Sequence, residues 1–191
     1  LCTGSHKYSE GHSHSDTENK VGFINNFQGY QIKILEYPGL YSLPHSTTLS
    51  DENLFDEDID VIVNIVNANA LERNLLLTTD VLSLGKPVIV ALNMFDEFEN
   101  NGNFIDVEKL SEQLHCKVFK TAFKHNRGTK ELLENIITTY ETQNEGVGFN
   151  FENIAVEEKM NFIKNILTLC DYKKSGKVKK NSIYKIFDAI V

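Results

Sequence analysis

Residues 64–99, NIVNANALERNLLLTTDVLSLGKPVIVALNMFDEFE, contain an apolar extended run, a polar bend, a helical stretch and a second apolar run that stops at Asn93-Met94-Phe95-Asp96. That second run, Pro87 to Leu92 (PVIVAL), and its upstream counterpart, Asp60 to Val66 (DVIVNIV), are near-continuous β-branched segments. Such runs are expected of strands covered by helices on both faces, so both are read as central strands. Between them Leu71, Leu75, Leu76, Val81 and Leu82 recur at roughly helical spacing over 71–84. Gly85 falls where a helix commonly turns into its left-handed cap. A strand, a helix and a strand in that order make a right-handed crossover unit, the building block of an α/β layered domain.

Further along, Asp106 is suited to cap a helix through Leu114, Lys117 to Thr121 reads as a short strand, and Thr129 opens a helix to about Tyr140. Upstream, Val21 to Phe27 and Tyr30 to Glu36 suit two strands of an antiparallel hairpin with Gly29 in the tight connection. Residues 5–20 (SHKYSEGHSHSDTENK) have loop composition, and ETQNEGVGFN (141–150) reads as a polar linker. Asn153 to Leu169 then has the pattern of an amphipathic helix, DYKKSGKVKKN breaks it, and Ser182 starts another short helix. Residues from about 150 are therefore expected to form a separate helical piece.

A chain of 191 residues with 41% hydrophobic content suffices for one core and a small extension. The net charge of −8 disfavours nucleic acid as a partner, because phosphate-backbone binders carry a basic face. Cys2, Cys116 and Cys170 show none of the close spacing of a zinc site or redox pair, which fits a reducing compartment. No run approaches the roughly 18 apolar residues that would span a bilayer. The start on Leu1 and the apolar ending SIYKIFDAIV lead us to expect a chain cut at both ends.

In open α/β sheets ligands sit beyond the carboxyl ends of the strands. Three loops are expected at that edge: Glu36-Tyr37-Pro38-Gly39, Asn93-Met94-Phe95-Asp96 and Thr121-Ala122-Phe123. A carboxylate such as that of Asp96 accepts two hydrogen bonds from N1–H and the amino group of guanine, whereas adenine would present a lone pair at N1. A bidentate base contact of this kind discriminates by roughly 1–3 kcal/mol. Asn93 is placed to tie this loop to its neighbour. A solvated Asx turn explains Asn-x-x-Asp by itself. Three such loops, in this order after strands, are harder to obtain by chance.

On these residues the chain resembles the ferrous-iron transport protein B (FeoB) family. The likeness lies in EYPGLYSL, in Leu71-Glu72-Arg73-Asn74-Leu75 combined with Asn93-Met94-x-Asp96, and in IDVEKLSEQL. It implies a Ras-like P-loop GTPase fold, α/β with a mostly parallel sheet flanked by helices, over residues 1–143. A small C-terminal helical domain over 150–191 would then lead to the membrane channel portion of the same polypeptide, on the cytoplasmic face of the inner membrane. The implied ligands are GTP or GDP with Mg2+. Asn93 and Asp96 would read guanine, Met94 and Phe95 would line the base region, and Thr121 and Ala122 would support the base by backbone amides. Glu36, Tyr37, Pro38 and Gly39 would bind the nucleotide, with the Gly39 N–H offered to the γ-phosphate, and Thr17 would hold Mg2+ in the triphosphate state. An ordinary loop hydroxyl accounts for Thr17 equally well.

The sequence departs from the family in three places. It contains no Gly-x-x-x-x-Gly-Lys-Ser/Thr phosphate loop, so these 191 residues alone are expected to bind GTP poorly. Glu36 stands where the family has aspartate, which lengthens the reach toward a Mg2+ shell that tolerates little distortion. The switch segment reads Gly-His-Ser-His-Ser-Asp-Thr, without the family's aromatic. His6, His12 and His14 suit a soft divalent ion or a solvated loop, and the basic run Lys173 to Lys180 suits anionic lipid or a solvated connection. Two further readings stay open: a non-hydrolysing regulatory module with a G-domain fold, and a ribosome-assembly GTPase, against which Met94 and Leu-Glu-Arg-Asn-Leu argue.

Overall fold

The expected hairpin forms: strand β1 (Lys20–Phe27) pairs antiparallel with β2 (Tyr30–Glu36). Its connection places Gln28 and Gly29 at φ 53° and 90°, with the Gly29 N–H 3.3 Å from Asn26 Oδ1. The positive φ at Gly29 is what the glycine supplies. This hairpin is one unit of the computed structural model, which describes residues 20–36, 59–142, 149, 151 and 154–175, and the remainder belongs to a second.

In the second unit, β3 (Ile62–Asn67), β4 (Val88–Asn93) and β5 (Lys117–Lys120) form a parallel sheet in that order. Strand β4 lies in the middle. Val88, Val90 and Leu92 join the larger core, while Ile89 and Ala91 pack on the opposite side with Leu132. The unbroken apolar run thus serves two cores at once. Strand β3, also expected to be central, is an edge of this sheet among the described residues, and its Ile65, opposite Ala91, is 56% exposed. The asparagine in its run, Asn64, is buried and donates through Nδ2 to Thr78 Oγ1 at 2.8 Å, which satisfies a polar group that burial would otherwise penalise.

Helix α1 (Leu71–Leu82) crosses from β3 to β4 and buries Leu71, Leu75, Thr78, Thr79 and Leu82. Its C-cap is Ser83 in right-handed geometry, and the left-handed residue is Gly85, two positions beyond, at φ 66°. A further short helix absent from the sequence reading, α2 (Phe95–Asn100), follows β4 directly. Helix α3 (Val107–Leu114) is capped as expected, with Asp106 Oδ1 accepting the Lys109 N–H at 3.0 Å. Helix α4 (Thr129–Glu141) places Leu132 against the Ile89 face.

Helix α5 (Val156–Leu169) starts three residues later than the amphipathic pattern suggested. It buries Ile163, Ile166 and Leu167 in the same core as α1, α3 and β4, so the sheet and this helix share one interior. Three polar ties reinforce the packing: Lys159 Nζ to Asp80 Oδ1 at 2.6 Å, Phe151 N–H to Ser83 Oγ at 3.0 Å, and Asp106 N–H to the Cys170 carbonyl at 2.9 Å. Among the described residues no helix is long and apolar enough to cross a membrane. The short helix expected from Ser182 lies outside the described residues, as does most of the basic run.

Burial pushes the Cys116 thiol up to about 12 and the Cys170 thiol up to about 11, from an ordinary value of 9.0. Both are therefore protonated and poorly nucleophilic near pH 8. Iodoacetamide at that pH should leave both unmodified in the native protein and modify both in urea, read by peptide mass mapping. Because the folded values lie above the unfolded one, this contribution to stability is complete below about pH 9 and declines from there to pH 11–12.

Candidate functional site

Strand β4 ends on Asn93 at the carboxyl edge of the parallel sheet. The chain then reverses through Met94, a non-glycine residue in the left-handed region at φ 60° and ψ 31°. That sharp turn lets α2 begin at once, and it puts Asp96 in the first helical turn with its side chain 19% exposed. Phe95 and Phe98 are both buried, with ring centroids 5.2 Å apart, and Phe98 also stacks on Tyr172 at 6.3 Å. These two rings anchor α2 in the core. Phe95 thus supports the loop after β4 from beneath.

The neighbouring loop, from the end of β5 to the start of α4, is tied to this one at several points. Thr121 N–H donates to the Leu92 carbonyl at 2.8 Å, Phe95 N–H to the Thr121 carbonyl at 3.1 Å, and Phe123 N–H to Asn93 Oδ1 at 3.1 Å. Asn93 therefore holds the two loops together by its side-chain oxygen. A 3-10 turn over Phe123–His125 follows, closed by reciprocal bonds between Ala122 and Arg127 at 3.1 and 3.2 Å. Gly128 ends the loop at φ 80°, against the Lys120 carbonyl.

Asn93, Met94, Phe95, Asp96, Thr121 and Ala122 thus come together at one edge of the sheet. Two details were not visible in the sequence. The Thr121 and Ala122 amides both donate to protein carbonyls, those of Leu92 and Arg127, so a base would reach the Ala122 N–H only after its bond to Arg127 opened. The Thr121 hydroxyl, buried, has no hydrogen-bond partner. His125 Nε2 also lies 3.4 Å from Asp96 Oδ2, and Lys120 Nζ sits 4.8 Å from the Phe95 ring centroid and 3.6 Å from Glu99 Oε1. No local pattern announces these contacts, because they join residues that only the fold makes neighbours.

Glu36 is the exposed last residue of β2. Thr17, Tyr37, Pro38, Gly39, His6, His12 and His14 lie outside the described residues. Among the described residues no three His, Cys, Asp or Glu side chains gather as a metal site. A partly exposed carboxylate beside a tethered asparagine fits the donor edge of guanine, whereas Mg2+ would need ligands from elsewhere together with phosphate oxygens.

Residues 2–136 match the sequence profile of the family described as ferrous iron transport protein B. The chain is 34% identical over 178 residues to an Fe(2+) transport protein A/Fe(2+) transporter FeoB fusion protein of Porphyromonas gingivalis, covering 88% of this chain and 21% of that protein. The chain thus spans about a fifth of that relative's length. Among solved structures, the cytosolic domain of Legionella pneumophila FeoB superposes with a TM-score of 0.60 at 31% identity, covering 82% of this chain and 67% of that one. The cytosolic domain of Thermotoga maritima FeoB in its GMPPNP form gives 0.63 at 26% identity, covering 81% and 62%. The fold is accordingly the Ras-like α/β arrangement, with a parallel sheet between helices.

Proposed function

This chain belongs to the ferrous iron transport protein B family, and from that membership we propose that it is the guanine-nucleotide-binding portion of a ferrous-iron transporter. In this reading residues 1–143 bind GTP or GDP with Mg2+ on the cytoplasmic face of the inner membrane. Residues 150–191 connect them to the channel portion of the same polypeptide. The observation that carries the proposal is Asp96, held by the Phe95 and Phe98 anchors in the first turn of α2, beside an asparagine that joins the two loops of the site. Its carboxylate would accept N1–H and the 2-amino group of guanine, and Met94 would cover the base region. Thr121 and Ala122 would support the base once the Ala122 amide is released. Glu36, Tyr37, Pro38 and Gly39 would bind the nucleotide, with the Gly39 N–H offered to the γ-phosphate and Thr17 on Mg2+.

In the intact protein the chemistry would be in-line attack of water on the γ-phosphate, with catalysis by positioning and charge neutralisation. A non-hydrolysing module is the second reading, favoured by Glu36 in the aspartate position and by the switch segment Gly-His-Ser-His-Ser-Asp-Thr, which lacks the family's aromatic. Titration of fluorescent GDP and GTP with Mg2+ against the full-length protein tests the first point. Asp96→Asn should weaken guanine nucleotide binding by roughly 10- to 100-fold, the equivalent of one bidentate base contact. Equal affinity for guanine and adenine nucleotides in the unmodified protein would sink the proposal. Phosphate release by a protein that binds GTP decides between hydrolysis and a regulatory module.

A further inference from the structure

His125 places its Nε2 3.4 Å from Asp96 Oδ2, the carboxylate that the proposed function assigns to guanine. Among the described residues it is the only basic group within ion-pair distance of Asp96. The backbone that presents the imidazole is well fixed. His125 N–H donates to the Ala122 carbonyl at 2.8 Å, and Phe123 N–H, two residues before it, is bonded to Asn93 Oδ1. The side chain itself is 54% exposed, while that of Asp96 is 19% exposed.

When protonated, the imidazole at that distance pairs with the carboxylate and offers it the same kind of partner as the N1–H or amino N–H of guanine, a planar nitrogen donor. Reading guanine requires both oxygens of Asp96, and one of them already faces the ring. We propose that His125 is an affinity-setting residue of this site, an internal stand-in that the base must displace from Asp96 before it can be read. The inference rests on the guanine-binding reading above. The histidine would lower affinity for every guanine nucleotide alike without contacting phosphate, and it would leave adenine nucleotides unaffected, since these make no use of the carboxylate.

The test is isothermal titration of GDP and ADP into the full-length protein, its His125→Ala and Asp96→Asn variants and the variant carrying both changes. Removing an exposed pair of this kind should tighten GDP by about two- to fivefold in His125→Ala, with ADP unchanged. In the Asp96→Asn background the same change should give no gain. Weaker GDP binding in His125→Ala would mean that the ring positions the carboxylate, and it would overturn the competition, as would an unchanged affinity. Imidazole 15N shifts of His125 in nucleotide-free protein add a readout independent of binding: they should move in Asp96→Asn. Static shifts with intact GDP binding overturn the competition alone. Failure of every form to bind GDP overturns the guanine reading and the competition with it, whatever the shifts show.

Discussion

Replacing Lys159 by methionine should lower the unfolding free energy by about 3–5 kcal/mol, because it strands a buried carboxylate. Lys159 Nζ is 2.6 Å from Asp80 Oδ1, with the two side chains 14% and 9% exposed. Asp80 Oδ2 has no hydrogen-bond partner, so the ammonium is the principal compensation for a charge held out of water. Methionine keeps much of the stem that packs between α1 and α5 and removes the charge alone. The double replacement Asp80→Leu with Lys159→Met should recover most of the loss, since taking out both members of a buried pair is often nearly neutral. Urea titrations at constant m value measure both numbers. A cost below about 1 kcal/mol for Lys159→Met would show that water reaches the carboxylate and that the pair behaves as a surface one.

Gly128→Ala should cost roughly 2–4 kcal/mol, combining a left-handed backbone with a collision. A Cβ at this position would lie 2.6 Å from the Lys120 carbonyl oxygen and 2.9 Å from Thr121 Cγ2, at φ 80°. Neither neighbour can yield easily. Lys120 closes β5, and the Thr121 carbonyl accepts the Phe95 N–H, so any shift there moves the first turn of α2 and Asp96 with it. Gly85→Ala supplies the comparison, with φ 66° and nothing within 4 Å of the added carbon, and should cost only the backbone term of about 1 kcal/mol. The difference between the two isolates the collision. Only Gly128→Ala should also reduce GDP affinity, which nucleotide titration of both variants checks.

Strand β4 was legible in PVIVAL because five consecutive positions are buried and every one of them is apolar, a pattern that leaves little choice. Helix α3 was legible for a local reason too, an aspartate whose side chain caps the third residue on. Helix α2 was missed because FDEFEN is six residues long and starts at a left-handed Met94 with no capping side chain. The available signal was Phe95 and Phe98, three apart and both buried. At the site, Asn93 as a tie between loops followed from its place at a strand end, and the contact with the Phe123 amide agrees with it. The neighbours that modify Asp96 and Ala122 did not follow. His125 and Arg127 reach them through the fold of a loop whose local sequence reads only as polar. The Asp80–Lys159 pair hid for a related reason: a charged residue in an amphipathic helix is ordinarily assigned to the wet face, and only the arrival of α5 makes that face an interior.

Asp80 and Lys159 lie 79 residues apart, and α5 covers a face that α1 has presented since the first crossover unit formed. At typical synthesis speeds that separation amounts to about 4–16 s on the ribosome. From the completion of β5 at Lys120 to the synthesis of Lys159, about 2–8 s of that time, the nascent chain holds the parallel sheet with one side of α1 bare, and Asp80 waits in water for its partner. The sheet and the loops at its carboxyl edge are made before the surface that seals them. Changes that weaken α5 should therefore appear first as poor yield from cells, before any loss of activity per folded molecule.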